Sequence, residues 1–147
     1  MKVFVSQKMR GKNANVIRQT RDIALEALAD RLKEPLPEWV VDALEARLNA
    51  PVPEGPLTPI DTQRYKETFY TDIQVVNPYN EILETWSPLK AMGAGIMKMD
   101  SADLVLIVPD EDTRGVRVER TIAREYGKQI AYMINGKVVF EQRGFGI

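Results

Sequence analysis

Four carboxylates, Asp110, Glu111, Asp112 and Glu119, lie where an apolar run gives way to a helical pattern. Leu104-Val105-Leu106-Ile107-Val108 ends at Pro109, and Asp110-Glu111-Asp112-Thr113-Arg114-Gly115-Val116-Arg117-Val118-Glu119 follows. A continuous apolar run of this kind is what a strand buried on both faces of a parallel sheet looks like. Gly115 is expected to let the backbone turn tightly into the next helix. Glu119 then falls four residues later, about one turn into that helix, from where it can point back over the strand end. On spacing alone, a surface salt-bridge residue is the commoner reading of such a glutamate.

The rest of the composition narrows the chemistry. The 147 residues include no His and no Cys. Histidine- and cysteine-based triads are therefore excluded, with disulfides and His- or Cys-ligated metal sites. Acid–base work falls to carboxylates, Tyr or Lys. No Asp-x-Asp-x-Asp-Gly loop offers a hard-metal site. With 20 Lys+Arg against 21 Asp+Glu, the net charge of −1 gives no general attraction to nucleic acid or to anionic membrane. No apolar run approaches the roughly 18 residues of a membrane span. Met1-Lys2 leads straight into a strand-like run, so no signal peptide is read and a cytoplasmic protein is expected.

A second candidate region is Gln7 to Asn13, which carries Lys8, Arg10, Gly11 and Lys12. A phosphate-binding P-loop needs Gly-x-x-x-x-Gly-Lys-[Ser/Thr]. Here Ser6 stands five residues before Gly11, and Asn13 follows Gly11-Lys12, so the motif is absent. What remains is a polar loop feeding a helix start, a place that suits an anion or is simply a solvated basic loop.

These residues need elements to hold them. Lys2 to Ser6 reads as a strand, and Val16, Ile17, Thr20, Ile23, Ala24, Ala27, Leu28 and Leu32 recur at helical spacing after it. Arg18, Arg21, Glu26, Asp30 and Arg31 are placed largely on the opposite face of that helix, with Asn13 or Asn15 as its cap. Residues 34–70 form a proline-rich helical insertion holding most of the prolines; Glu38 to Leu48 can be a short helix there. Asp72 to Val76 is a strand stopped by Asn77-Pro78. Pro88 to Met99 is helical, and so is Val116 to Tyr126, which ends at Gly127. Arg117, Arg120 and Arg124 form a solvated stripe with Glu125. Gln129 to Ile134 and Val138 to Phe140 flank a type I′ turn at Asn135-Gly136. The alternation predicts one α/β domain over 1–147. Its sheet is Rossmann/flavodoxin-like and parallel, with four to five strands and helices on both faces. Ligands of such sheets sit beyond the carboxyl ends of the strands, which selects Ser6–Lys12, Asn77–Glu81 and Pro109–Glu119.

Three blocks together resemble the nucleoside 2-deoxyribosyltransferase-like superfamily, closest to uncharacterised domains of phage and bacterial genomes. They are Val3-Phe4-Val5-Ser6-Gln7-Lys8-Met9-Arg10-Gly11, then Val75-Val76-Asn77-Pro78, then Asp103 to Pro109 running on through Arg114-Gly115-Val116-Arg117-Val118-Glu119 to Ala123-Arg124-Glu125-Tyr126-Gly127-Lys128. The resemblance covers residues 2–12 and 72–130. It implies that Glu119 is a nucleophile toward the anomeric carbon of a nucleoside or nucleotide, with no cofactor and no metal. It also implies that Ser6, Met9, Arg10 and Gly11 line the sugar-phosphate end, and that Asn77, Tyr79 and Asn80 lie near base or sugar. Pro109 and Gly115 complete the substrate wall, and the protein is a homo-oligomer.

Two acids of the characterised transferases are replaced here by Gly95 and Thr113, with Asp112 one residue from the second. Base release needs a proton at the leaving nitrogen. The alternative is therefore a module that binds a nucleotide or nucleotide-derived signal without turnover. Two further readings are a protein-binding surface around Trp39 and Trp86, and an FMN-binding flavodoxin-like protein, whose phosphate loop is usually richer in Ser and Thr.

Overall fold

The computed structural model describes residues 1–42, 73–80, 82, 85–108 and 113–142. Two strands form its centre because their residues are apolar on both faces. β1 (Lys2–Ser6) is buried from Val3 onward, and β3 (Leu104–Ile107) is buried throughout. They pair in parallel, Val3 beside Leu104 and Ser6 beside Ile107. β2 (Gln74–Val75) adds a two-residue parallel edge to β1, and β4 (Gln129–Ile134) lies parallel to β3. β5 (Lys137–Phe140) returns antiparallel to β4, giving the order β2-β1-β3-β4-β5. Asn135 (φ 51°) and Gly136 (φ 77°) both take the positive φ that a type I′ hairpin requires. The sheet is thus mixed, four parallel strands and one antiparallel edge.

Alternation along β1 and β3 divides the core between two faces. Val3, Val5, Leu104 and Leu106 meet Ala24 and Leu28 of α1 (Ala14–Lys33) and Val40 on one face. Phe4, Val105 and Ile107 meet Met99 of α2 (Pro88–Met99) and Val116 and Ala123 of α3 (Arg114–Glu125) on the other. Each large side chain fully buried in this way stabilises the fold by about 1.5–3 kcal/mol over leaving it exposed. Side-chain oxygens of Asn13, Ser87 and Thr113 cap the three helices by accepting from the N–H groups of Val16, Lys90 and Val116. Gly127 (φ 70°) follows the last turn of α3 in the left-handed region.

Two polar residues of the third block serve the frame. The Asp103 carboxylate accepts the Lys2 N–H at 2.8 Å. Buried Lys128 donates from Nζ to the carbonyls of Asp100 (2.7 Å) and Ala102 (3.0 Å), tying the start of β4 to the end of α2.

Three expectations are corrected. Arg21 is on the buried stripe of α1 with Ile17, Ala24 and Leu28, and not on the solvent face. Gly115 lies inside the first turn of α3 without a positive φ, so it is a helix residue and not a turn; a Cβ there would meet Met92 Cε of α2 at 3.5 Å, an ordinary contact distance. Arg124 pairs with Glu141 and Tyr132, not with Glu125. Of the proline-rich insertion, residues 38–42 begin a helix that buries Val40 and Val41. The remainder of the predicted insertion, from residue 43 to 70, lies outside the described residues. No helix among the described residues is long and apolar enough to cross a membrane.

Candidate active site

A cavity of about 670 Å³ opens beyond the carboxyl end of β1, between the Gln7–Arg10 loop, the segment after β2, α2 and the start of α3. The volume is in the range of pockets that take a nucleotide-sized molecule. Glu119 is the one carboxylate among the described residues of its wall. α3 directs it inward because Val116 and Ala123, three residues before it and four after, are buried against the sheet. Ser6, the last residue of β1, is fully buried and donates from Oγ to Glu119 Oε1 at 3.1 Å. Removal from water lifts the Glu119 carboxyl from its ordinary 4.5 to about 7, against the Ser6 hydrogen bond and the nearby positive charge of Arg21, which both favour ionisation. Near neutral pH the group is close to half ionised, the poise a catalytic carboxylate needs to change protonation state in use.

Across the cavity, Gly95 of α2 faces this carboxylate. A Cβ at Gly95 would stand 3.8 Å from Glu119 Oε2 and 3.8 Å from Phe4 Cζ, so the position is open at ordinary contact distance. Thr113 lines the cavity, and its hydroxyl oxygen accepts the Val116 N–H as the α3 cap.

Several expected site residues are brought to the cavity. Met9, Arg10, Asn77, Tyr79, Asn80, Gly115 and Glu119 all line it. Arg10 donates from Nη2 to the Trp86 carbonyl at 3.1 Å, joining the first loop to the residue before the α2 cap. Arg18 stacks on the Tyr79 ring at 5.3 Å from its centroid. Asn80 accepts the Ile82 N–H at 3.0 Å, an Asx turn that shapes the loop.

Others have a different part. Ser6 acts through Glu119 and is not itself on the wall. Gly11 is also off the wall: with φ 79° it is the third residue of a Met9–Lys12 turn closed by the Lys12 N–H to the Met9 carbonyl at 3.2 Å, where a left-handed residue is required. Asn77 is at the cavity, but its amide is taken up by β1. Its Oδ1 accepts the Val5 N–H and its Nδ2 donates to the Val5 carbonyl, both at 2.8 Å. Asp112 and Pro109 lie outside the described residues.

Arg21 is a wall residue that the sequence pattern placed elsewhere. Arg21 reaches the cavity from α1, donating from Nε to Gln7 Oε1 at 2.9 Å and from Nη1 to the Asn77 carbonyl. Gln7 is fixed in turn by donating from Nε2 to the Ile17 carbonyl at 3.2 Å. The available signal was a cation in an apolar stripe: Ile17, Ala24 and Leu28 stand four before, three after and seven after Arg21. Burial pulls the Arg21 pKa below its ordinary value, while Glu119 and Asp22 oppose the shift.

Among the described residues no group of three or more Asp, Glu, His or Cys is placed to hold a metal ion. Comparison with protein-family models, curated proteins and solved structures finds no match to this chain.

Proposed function

We propose that the protein cleaves or transfers the N-glycosidic bond of a nucleoside or nucleotide, with Glu119 as nucleophile. The observation that carries this is a carboxylate at the strand ends, aimed into a cavity of nucleotide size and steadied by Ser6. In the first step a Glu119 oxygen bonds to the anomeric carbon as the carbon–nitrogen bond breaks, and the electron pair leaves with the base. Water or a second base then displaces Glu119 and restores the carboxylate. Two displacements through oxocarbenium-like transition states have lower barriers than one. The departing nitrogen needs a proton, for which Asp112, the residue before the Thr113 cap in sequence, is the candidate donor. Tyr79 and Asn80 would flank the base, and Met9 and Arg10 the sugar side.

A second reading is binding of a nucleotide-derived molecule without turnover. It is favoured by Gly95 and Thr113, which leave Glu119 as the one carboxylate of the described wall. One experiment separates the two. The protein is incubated with nucleosides and their monophosphates, and free base is followed by chromatography beside a Glu119→Ala control. Base release that the control lacks supports the enzyme. Tight binding with intact ligand recovered supports the binding module.

We place the protein in the cytoplasm as a homo-oligomer. The exposed apolar side chains of Leu89 and Met97 on α2 support self-association, to be checked by light scattering.

A further inference from the structure

Arg21 has no part in the displacement described above, yet it is the most unusual side chain at the cavity. It is only 6 % exposed. Neither Glu119 nor Asp22, the two carboxylates that act on it, comes within 4.0 Å to form an ion pair. Its guanidinium carries five N–H donors. One goes to Gln7 and one to the Asn77 carbonyl, and the other three meet no acceptor among the described residues. Donors left unmet in a buried place carry a desolvation cost, and a buried cation without a contacting anion carries a larger one.

The clamp explains how the group is held. Gln7 is itself tied to the Ile17 carbonyl, and Asn77 is tied to Val5, so the guanidinium is fixed by two anchored neutral acceptors. Neutral acceptors orient the fork without cancelling its charge. The wall around it repeats the sign: Lys8, Arg10, Lys98 and Arg114 also line the cavity, with Glu119 the one carboxylate among its described residues.

We propose that Arg21 is the receptor for an oxyanion of the ligand, a phosphate or a carboxylate, taken up by its unspent N–H donors at the inner wall of the cavity. A planar fork matched to paired oxygens is the geometry in which arginine outperforms lysine. Arg21 is thereby the specificity residue that selects an anionic nucleoside derivative over the neutral nucleoside. The inference rests on the reading of the cavity as a nucleotide site, and does not depend on whether Glu119 turns the ligand over.

The test compares three ligands of one sugar and base: the nucleoside, its 5′-monophosphate and its 5′-carboxylate. Affinities are measured by calorimetry for the wild-type chain, Arg21→Lys and Arg21→Met, with Arg10→Ala as a control at a second cation of the wall. Wild type is expected to prefer an anionic form by about tenfold or more, as charge-assisted hydrogen bonds imply. Whichever anion is preferred identifies the source of the oxygens. Arg21→Met is expected to lose that preference while keeping its nucleoside affinity, and Arg21→Lys to keep only part of it. If Arg21→Met retains the wild-type preference, or wild type binds all three ligands alike, the proposal is overturned. If none of the three binds but inorganic phosphate does so through Arg21, the nucleotide reading fails and the oxyanion receptor stands. Should Arg21→Met not fold, guanidinium-detected NMR of the wild type decides. The Arg21 Nε–H signal, identified from its loss in Arg21→Lys, must move on addition of inorganic phosphate or the favoured anionic nucleoside, and an unmoved signal overturns the proposal.

Discussion

Replacing Glu119 by Gln is expected to make the protein more stable, by an amount that grows with pH. A rise of the carboxyl from 4.5 to about 7 corresponds to about 3 kcal/mol favouring its neutral form in the folded state. Below pH 4.5 the group is protonated in both folded and unfolded chains and costs nothing. Between 4.5 and 7 the folded chain holds a proton that the unfolded chain releases, so stability falls as pH rises. Above 7 the loss is complete. Gln keeps the shape, and its carbonyl oxygen can still accept from Ser6, but it has no charge to desolvate. The Gln variant should therefore gain less than about 1 kcal/mol over wild type at pH 5 and about 3 kcal/mol at pH 8. For a chain of this length the larger figure is worth roughly 6–12 °C in melting temperature. Urea unfolding of both proteins from pH 5 to pH 8 measures it. Two stability curves that run parallel across that range would refute the claim that Glu119 is held out of water. A stabilising substitution that abolishes function is the expected signature of a site built against the preferences of the fold.

Three further outcomes follow from the same geometry. If Glu119 attacks as the carboxylate, base release should climb with pH through an apparent pKa near 7, about 10 % of its plateau at pH 6 and about 90 % at pH 8; a rate that falls over that span excludes the nucleophile. Gly95→Asp sets a second carboxyl against Glu119. The Cβ of that Asp would stand 3.8 Å from Glu119 Oε2, so the two carboxyls share one space and should titrate in two separated steps by carboxyl-detected NMR; independent titration would show that the two positions do not face each other. Asn77→Leu strands the N–H and carbonyl of Val5 and should cost about 2–5 kcal/mol in urea unfolding; wild-type stability would mean that the amide pair is dispensable.

Much of the frame was legible because local and tertiary preferences agree. Pro88 to Met99 is helical over the predicted span, since Ser87 caps it, Pro88 suits its first turn, and Leu89, Met92, Ile96 and Met99 share a spacing. The apolar run at Leu104 became a buried central strand, and Asn135-Gly136 a hairpin turn. What was missed depends on contacts between distant segments. Arg21 looked like a solvent-face cation because charge alone was used to assign its side of α1. Its acceptors, Gln7 and the Asn77 carbonyl, lie 14 and 56 residues away in sequence. Gly115 invites a turn reading because it follows a strand, yet the helix begins one residue before it and its φ is not positive. Periodicity carries no information of that kind. One turn of helix puts Glu119 over the strand end, but spacing alone favours a surface salt bridge there; its partner Ser6 is 113 residues away.

The amide of Asn77 works as a borrowed peptide group. β2 stops at Val75, and two residues later a side chain supplies the donor and acceptor that a longer strand would have offered to Val5. The outer margin of the sheet is thereby finished without extended backbone, which leaves little unpaired ribbon there for a foreign strand to join. From Asn77 onward the main chain leaves the ladder, and Pro78, Tyr79 and Asn80 line the hollow. One asparagine thus splices the margin of the sheet to a wall of the cavity.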